Sequence, residues 1–65
     1  MNLTVNDEEV EVEDGISVAT LLERMEFPER GIAVAVNWMV LPRSQWNSEL
    51  PAGACVEVVT AVQGG

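Results

Sequence analysis

The sequence predicts an α+β fold in which one helix packs across a mixed sheet of four to five strands. Three features of the 65-residue chain predict it. Two segments with alternating apolar residues flank a turn near the N-terminus, and an apolar stripe with helical spacing follows them. β-branched segments then occupy much of the second half. The predicted order is β-β-α-β-β-β, in a single domain.

The first two strands are predicted to form a hairpin. Leu3 and Val5 alternate with polar residues, as in a strand that turns one face to the core, and Val10 and Val12 do the same. Residues 6–9 connect the strands and begin with Asn and Asp, which tolerate left-handed turn geometry. The acidic side chains of this region are expected to face water.

A helix is predicted over residues 18–26. Ser17 is placed to cap its first turn, and Ile16 and Leu21 occupy the two positions of a hydrophobic staple. Pro28 is expected to end the helix. One apolar stripe recurs at i, i+3, i+4 and i+7, formed by Val18, Leu21, Leu22 and Met25. Because so short a helix is unstable alone in water, its stripe must lie across a sheet.

Two strands are predicted in the middle of the chain. Residues 31–36 form a nearly uninterrupted apolar run, typical of a strand that is central or covered on both faces. Asn37 ends this strand as a turn residue. Residues 39–41 follow as a short strand, which Pro42 stops.

A helical turn, a loop and the last strand complete the prediction. Residues 44–46 form the helical turn, capped by Ser44, and residues 51–53 form the loop. The last strand covers residues 55–62, with Val56, Val58, Thr60 and Val62 on one side and Glu57, Val59 and Ala61 on the other. This topology matches the β-grasp, or ubiquitin-like, fold.

The chain is strongly acidic, with 11 acidic against three basic side chains and a formal net charge of -8. Nucleic acids and anionic membranes are expected to repel it, so we predict partners with basic faces. Six of the acidic residues lie between Asp7 and Asp14, where a solvated hairpin face explains them. A role of the charge in solubility alone stays open.

Ordinary catalytic and metal sites are not predicted. The chain has no histidine and Cys55 is its single cysteine, so neither a Cys-His pair nor a zinc cluster can form. Cys55 is predicted to be a small buried hydrophobe at the start of a strand. We expect no catalytic residue, no bound metal and no bound cofactor in the chain itself, and therefore no autonomous enzyme.

The N-terminal residues predict a cytoplasmic protein. Residues 1–5 lack the basic region of a signal peptide and run into acidic residues. No apolar run approaches the ~18 residues of a membrane-spanning helix, and a lone cysteine suits a reducing compartment.

Two tryptophans and one arginine are candidates for either packing or partner contacts. Trp46 is predicted to be structural, whereas Trp38, in a turn region beside Met39, is predicted to be exposed for a partner. Arg43 is either a partner contact or a cation that neutralises the acidic surface, and both interpretations stay open.

The chain ends in an unusual tail. We predict one domain over residues 1–62 and a flexible functional tail over residues 63–65, which reaches at most about 10 Å when extended. Gly64 and Gly65 carry no Cβ, so the tail can thread a channel too narrow for side chains. The Gly65 carboxylate is a weak nucleophile toward an activated phosphate. Adenylation would make it an acyl donor, and attack by a sulfur species would leave a thiocarboxylate.

A further pattern consists of Asn37, Val40, Pro42, Arg43, Trp46, Val56, Glu57, Val58, Val59, Ala61, Val62, Gly64 and Gly65. With these residues the chain resembles, over essentially its whole length, the ThiS family of thiamine-biosynthesis sulfur carriers. The terminal glycines alone would not separate it from the molybdopterin synthase small subunit or from ubiquitin-related modifiers. Two turns depart from the family pattern: Asp7 stands where the family often has Gly, and Ala54 where an Asp commonly follows Gly53.

The resemblance implies a function for Gly65. An E1-like adenylyltransferase of the ThiF type would activate Gly65 with ATP, a persulfide-bearing enzyme would provide sulfur, and the thiocarboxylate would pass it to a thiazole synthase of the ThiG type. The free carrier is expected to be a monomer. Two alternatives stay open: a sulfur carrier for molybdopterin or another acceptor, and a plain β-grasp interaction module whose terminal glycines are incidental.

Overall fold

The computed structural model describes residues 1–28 and 30–60. Within these residues the chain forms five strands, one α-helix and one 3-10 turn, in the predicted order β-β-α-β-β-β. Their bounds are Asn2–Val5 (β1), Glu8–Glu11 (β2), Val18–Arg24 (α1), Ile32–Val36 (β3), Met39–Val40 (β4), Arg43–Gln45 (3-10 turn) and Cys55–Thr60 (β5). The end of the predicted last strand and the predicted tail, residues 61–65, lie outside the described residues, so the division of the chain at residue 62 stays a prediction.

The strands form one mixed sheet in the order β2-β1-β5-β3-β4. β1 pairs antiparallel with β2, and β3 pairs antiparallel with both β4 and β5. β1 and β5 run parallel, with Thr4 opposite Cys55 and Val5 opposite Val56. The last strand in the described sequence is therefore the central strand of the sheet, and the predicted β-grasp topology is confirmed.

Both hairpins turn through two left-handed residues. Asn6 and Asp7 have φ of 50° and 68°, and Asn37 and Trp38 have φ of 50° and 71°. Two successive positive φ values are typical of a type I′ turn, whose twist matches that of the flanking strands. The predicted left-handed turn after β1 is confirmed, but it takes two residues instead of residues 6–9, because Glu8 already pairs with Val5.

The helix begins as predicted. Ser17 is its N-cap, and the Ser17 hydroxyl accepts the backbone N–H of Thr20 at 3.2 Å. Ile16 and Leu21, the two staple residues, are both buried. The cap and the staple together fix the angle at which the chain enters α1.

The helix ends at Arg24, two residues before the predicted end. Glu26 adopts a left-handed φ of 61°, and its N–H donates to the Glu23 carbonyl at 3.1 Å. The N–H of Phe27 donates to the Leu22 carbonyl at 3.0 Å. These two bonds form a Schellman motif. The prediction that Pro28 ends the helix is wrong, because this motif has already closed it.

The core lies between α1 and one face of the sheet. Its buried residues are Leu3, Val5, Ile16, Val18, Leu21, Leu22, Val34, Trp46, Leu50, Ala54, Val56 and Val58. The opposite face of the sheet remains open, since Ala33 is exposed and its partner Val59 is 63% exposed. Of the two alternatives predicted for residues 31–36, a doubly covered strand is therefore wrong, whereas a strand inside its sheet is confirmed, because β3 pairs with both β4 and β5. Small alanines made the solvent face of β3 look apolar.

The connection after β4 differs from its prediction by one residue. The 3-10 turn begins at Arg43 and follows Pro42, and its first residue has no side-chain cap. The predicted cap at Ser44 is wrong, because Ser44 lies inside the turn. In the part of the chain that the structure describes, no helix has the length and apolarity needed to cross a membrane.

Candidate functional site

The predicted working group, the carboxylate of Gly65, lies outside the described residues together with Gly64. The structure describes the strand that leads to them, as far as Thr60, which precedes Gly65 by five residues. The assignment of Gly65 stays a prediction, and the geometry of β5 shows from where such a tail starts.

β5 is paired on one side from Val56 to Thr60. The register with β3 runs from Val36 opposite Val56 to Ile32 opposite Thr60. Val56 and Val58 point into the core and are buried. β5 therefore reaches Thr60 as a paired strand.

On its other side, β5 pairs with β1 only at Cys55 and Val56, and a side chain then replaces the strand. The Asn6 N–H donates to the Val56 carbonyl at 2.9 Å. The Asn6 amide then pairs with Val58 in both directions: Oδ1 accepts the Val58 N–H at 2.8 Å, and Nδ2 donates to the Val58 carbonyl at 3.2 Å. The turn role predicted for Asn6 does not include this pairing.

Asn37 makes a similar contact at the opposite end of β5. Its N–H donates to the Cys55 carbonyl at 2.7 Å, and its Oδ1 accepts the Cys55 N–H at 2.9 Å. Cys55 itself is half-buried, not fully buried as predicted, because it alternates with the inward Val56 and so lies on the open face.

The tip of the second hairpin carries an exposed apolar cluster, formed by Trp38, Met39 and Val40. Trp38 is 74% exposed, which confirms its predicted exposure. Met39 and Val40 also line a groove of about 290 Å³, which continues to Leu50 and Pro51. Large apolar side chains that remain in water are typical of surfaces that bind another molecule.

Trp46 is structural, as predicted. It is 9% exposed, and its Nε1 donates to the Leu41 carbonyl at 3.1 Å. The guanidinium carbon of Arg43 lies 5.4 Å from the Trp46 ring centroid, in a cation–π contact. Among the described residues, Arg43 forms no ion pair with a carboxylate.

Arg43 also lines a larger groove, of about 420 Å³, beside α1. The walls of this groove include Leu22, Phe27 and Pro28. Of the three predicted partner contacts, Trp38 and Met39 thus share the hairpin tip, whereas Arg43 faces a different groove.

The six acidic residues between Asp7 and Asp14 are all exposed, as predicted. Two of them are paired: Asp14 Oδ1 lies 3.3 Å from the α-amino group of Met1, and Glu13 binds Arg24 of α1 through both carboxylate oxygens. The hydrogen bond from Arg24 lowers the pKa of Glu13, and the same bond raises the pKa of Arg24. Across residues 1–28 and 30–60, no polar side chain is buried and no cluster of metal-ligating side chains occurs.

The sequence model of the ThiS family matches residues 1–65 of this chain. The chain belongs to the ThiS family. One relative is the sulfur carrier protein ThiS of Escherichia coli (strain K12), which is 35% identical over 46 residues, covering 71% of this chain and 70% of that protein.

Solved structures of a ThiS protein have the same fold. The crystal structure of the thiamine biosynthesis protein ThiS from Geobacter metallireducens superimposes with a TM-score of 0.85 at 29% identity, over 100% of both chains. The NMR solution structure of a thiamine biosynthesis protein from the same organism gives a TM-score of 0.77 at 29% identity, over 100% of this chain and 88% of that one. The β-grasp topology derived above is thus the topology of the ThiS family.

Proposed function

We propose that this chain is a sulfur carrier protein of thiamine biosynthesis, with the carboxylate of Gly65 as the working group. The observation that carries the proposal is the ThiS family match over residues 1–65, which includes both terminal glycines. The E. coli relative is named as a sulfur carrier, and the Geobacter structures as thiamine biosynthesis proteins. The partners of such a carrier are proteins that transfer sulfur.

The proposed chemistry begins with adenylation. A Gly65 carboxylate oxygen attacks the α-phosphorus of ATP in an E1-like adenylyltransferase of the ThiF type, and pyrophosphate leaves. The terminal sulfur of a persulfide-bearing enzyme then attacks the acyl carbon and displaces AMP, which forms an acyl disulfide. A thiol attacks the enzyme-side sulfur of this S–S bond, so that the thiocarboxylate leaves on Gly65 and the thiol becomes a disulfide with the enzyme. A thiazole synthase of the ThiG type receives this sulfur. The carrier contributes the acyl group and a folded body, while ATP and the catalytic residues belong to its partners.

The folded body offers separate surfaces for these partners. Trp38 and Met39 offer a partner an apolar surface at the hairpin tip, and Arg43 offers a polar one beside α1. The net charge of -8 favours partner faces rich in Lys and Arg and accelerates the encounter with them. We place this carrier in the cytoplasm, as a monomer between encounters.

Thiocarboxylate formation tests the proposal directly. The chain is incubated with ATP, a ThiF-type enzyme and a persulfide source, and its intact mass is measured. We expect a mass increase equal to one oxygen exchanged for one sulfur. A matched variant without Gly65 should keep the same thermal midpoint, because glycine has no side chain to lose, and should gain no sulfur, because the working carboxylate is missing.

The result that contradicts this proposal is an unchanged mass in an assay in which a known ThiS protein is converted. The acceptor is tested in a second step. Sulfur should pass from the thiocarboxylate to thiazole synthase, and transfer to molybdopterin synthase alone would assign the chain to the other pathway. A plain interaction module would accept sulfur in neither assay and would keep its partner without Gly65.

A further inference from the structure

We infer that Asn6 is a positioning residue for the reaction at the C-terminus: its side-chain amide holds β5 where β1 no longer does, and so fixes the point from which residues 61–65 extend. This inference rests on the proposed function, since it assigns a role in presenting Gly65. It adds a residue from the N-terminal hairpin to a site that otherwise consists of the terminal glycines.

The geometry assigns Asn6 to the strand as much as to its turn. β1 ends at Val5, opposite Val56, and the chain then turns away into β2. The Asn6 side chain continues the pairing for one further step, with Oδ1 accepting the Val58 N–H at 2.8 Å and Nδ2 donating to the Val58 carbonyl at 3.2 Å. A primary amide presents the same donor and acceptor as a peptide group, so it acts here as a piece of strand.

The turn itself does not require this side chain. Asn6 has a φ of 50°, a conformation that glycine adopts without steric cost. Glycine would therefore preserve the type I′ turn and remove only the two bonds to Val58. The side chain and the backbone role of Asn6 can thus be separated by one substitution.

The pairing of Asn6 with Val58 matters for the tail because Val58 lies near the end of β5 from which the tail continues. Thr60 lies two residues beyond Val58 and pairs with Ile32 of β3. Without the Asn6 side chain, the described part of β5 beyond Val56 would keep the burial of Val58, but its backbone would be hydrogen-bonded by β3 alone. Gly65 lies within about 18 Å of Thr60 along an extended chain, so added freedom at Thr60 spreads the positions that Gly65 can occupy. A partner must then order the end of β5 around Thr60 as it binds, which weakens the apparent affinity of the partner for the carrier.

Asn37 provides a matched control within the same molecule. It is also a left-handed Asn in a type I′ turn, with a φ of 50°, and its Oδ1 also bonds a backbone N–H of β5. That N–H belongs to Cys55, at the end of the strand far from the tail. Asn6→Gly and Asn37→Gly are therefore equivalent in turn chemistry, and each removes side-chain bonding to β5, two bonds for Asn6 and one for Asn37. They also differ in which part of the strand is released.

The experiment compares wild type, Asn6→Gly and Asn37→Gly as full-length carriers of a ThiF-type enzyme, at a temperature where all three are folded. For Asn6→Gly we expect kcat/KM for thiocarboxylation to fall roughly tenfold through KM, with kcat at saturating carrier unchanged; a lost hydrogen bond of ordinary strength suffices. For Asn37→Gly we expect a change of about twofold or less. Amide hydrogen exchange at Val58 should accelerate roughly tenfold or more in Asn6→Gly only.

The outcomes distinguish failure of the positioning role of Asn6 from failure of the proposed function. If wild type is converted and Asn6→Gly equals wild type or Asn37→Gly in kcat/KM, the positioning role is overturned and the proposed function stands. A loss that appears in kcat alone overturns the role as well, because preorganisation acts on binding. If wild type itself is never converted, the proposed function fails and the positioning role fails with it, whatever the exchange at Val58.

Discussion

The two hairpins of this chain share one backbone design and differ in what they expose. Each turns through two left-handed residues, and each uses the Asn at the first of them to bond β5. The β1–β2 hairpin presents acidic side chains to solvent, whereas the β3–β4 hairpin presents Trp38, Met39 and Val40.

The difference shows that the support of β5 and the exposed side chains of the hairpins involve different atoms. The hairpin backbones and the two Asn amides hold β5, Asn37 at Cys55 and Asn6 at Val58. The outward side chains are free of that task, so one hairpin can carry charge, which acts on encounter rate, and the other can carry apolar area, which acts on bound-state affinity. The hairpins are thus alike in backbone support and unlike in the side chains that they expose.

The largest expected effect concerns β5 as the common support. Val56 is fully buried and lies opposite both Val5 and Val36. We expect Val56→Ala to lower the free energy of unfolding by about 2–3 kcal/mol, from lost burial and the remaining cavity. Urea unfolding should show this loss, and amide protection should fall in both hairpins together.

The control for this substitution is Val59→Ala, on the open face of the same strand. Because Val59 is mostly exposed, its truncation should change the free energy of unfolding by no more than about 0.5 kcal/mol. If Val56→Ala left one hairpin fully protected, the two hairpins would not share β5 as their support.

The next effect separates the two turns. Trp38 is held at a φ of 71°, a conformation that costs a large L-residue more than it costs Asp7 at 68°. We expect Trp38→Gly to raise the free energy of unfolding by about 0.5–1 kcal/mol, and Asp7→Gly to raise it by less. Thermal unfolding measures both.

Trp38→Gly, the more stabilising of the two substitutions, should also be the one that weakens partner binding more. Trp38→Gly is expected to weaken binding of the activating enzyme severalfold, while Asp7→Gly leaves it within about twofold, because only Trp38 adds apolar contact area. Equal affinities in a titration would remove the hairpin tip from the partner surface. A Trp38→Gly variant that is less stable than wild type would show that the indole packs in the free protein.

The smallest effect comes from the ion pair that ties the acidic end of the first hairpin to α1. The bond from Arg24 lowers the pKa of Glu13 in the folded protein, so this pair stabilises the fold at neutral pH. Its contribution is lost as the pH falls below about 4.3, the unperturbed value, through the lower pKa of the folded state. Since both side chains are about half exposed, salt should also weaken it.

The measurement compares thermal midpoints of wild type and Glu13→Gln at about pH 7 and about pH 3. The difference should be present at neutral pH and shrink at acidic pH. Glu9→Gln removes an exposed charge of the same hairpin without breaking an ion pair, and should show a smaller pH-dependent difference. A constant difference for Glu13→Gln would rule out the pair as its cause.

The fold was predictable because its signals are local. The Ser17 cap, the apolar stripe beginning at Val18 and the left-handed tolerance of Asn6 and Asn37 each act within a few residues. The errors arose where a local signal was ambiguous. Glu26 closes the helix in a position where glycine is usual, so the sequence carried no sign of an earlier end.

The candidate site was predictable only in part. Exposure of Trp38 and burial of Trp46 followed from their neighbours in sequence, and Gly65 from its place in a family pattern. The bond between Asn6 and Val58 joins residues 52 positions apart, and no periodicity reports such a contact. The cation–π contact of Arg43 was missed because guanidinium geometry depends on the 3-10 turn that precedes Trp46.

Because the last described strand is the central one, the sheet can assemble only late in synthesis. Residues 1–54 include both hairpins and the helix but no strand that joins the hairpins, since Cys55–Thr60 is that strand. Parallel pairing of Thr4 with Cys55 closes a span of about 50 residues, a slow step because of the entropy of so large a loop. Translation must therefore pass Thr60 before the sheet can assemble, and a nascent chain interrupted earlier stays open to proteolysis.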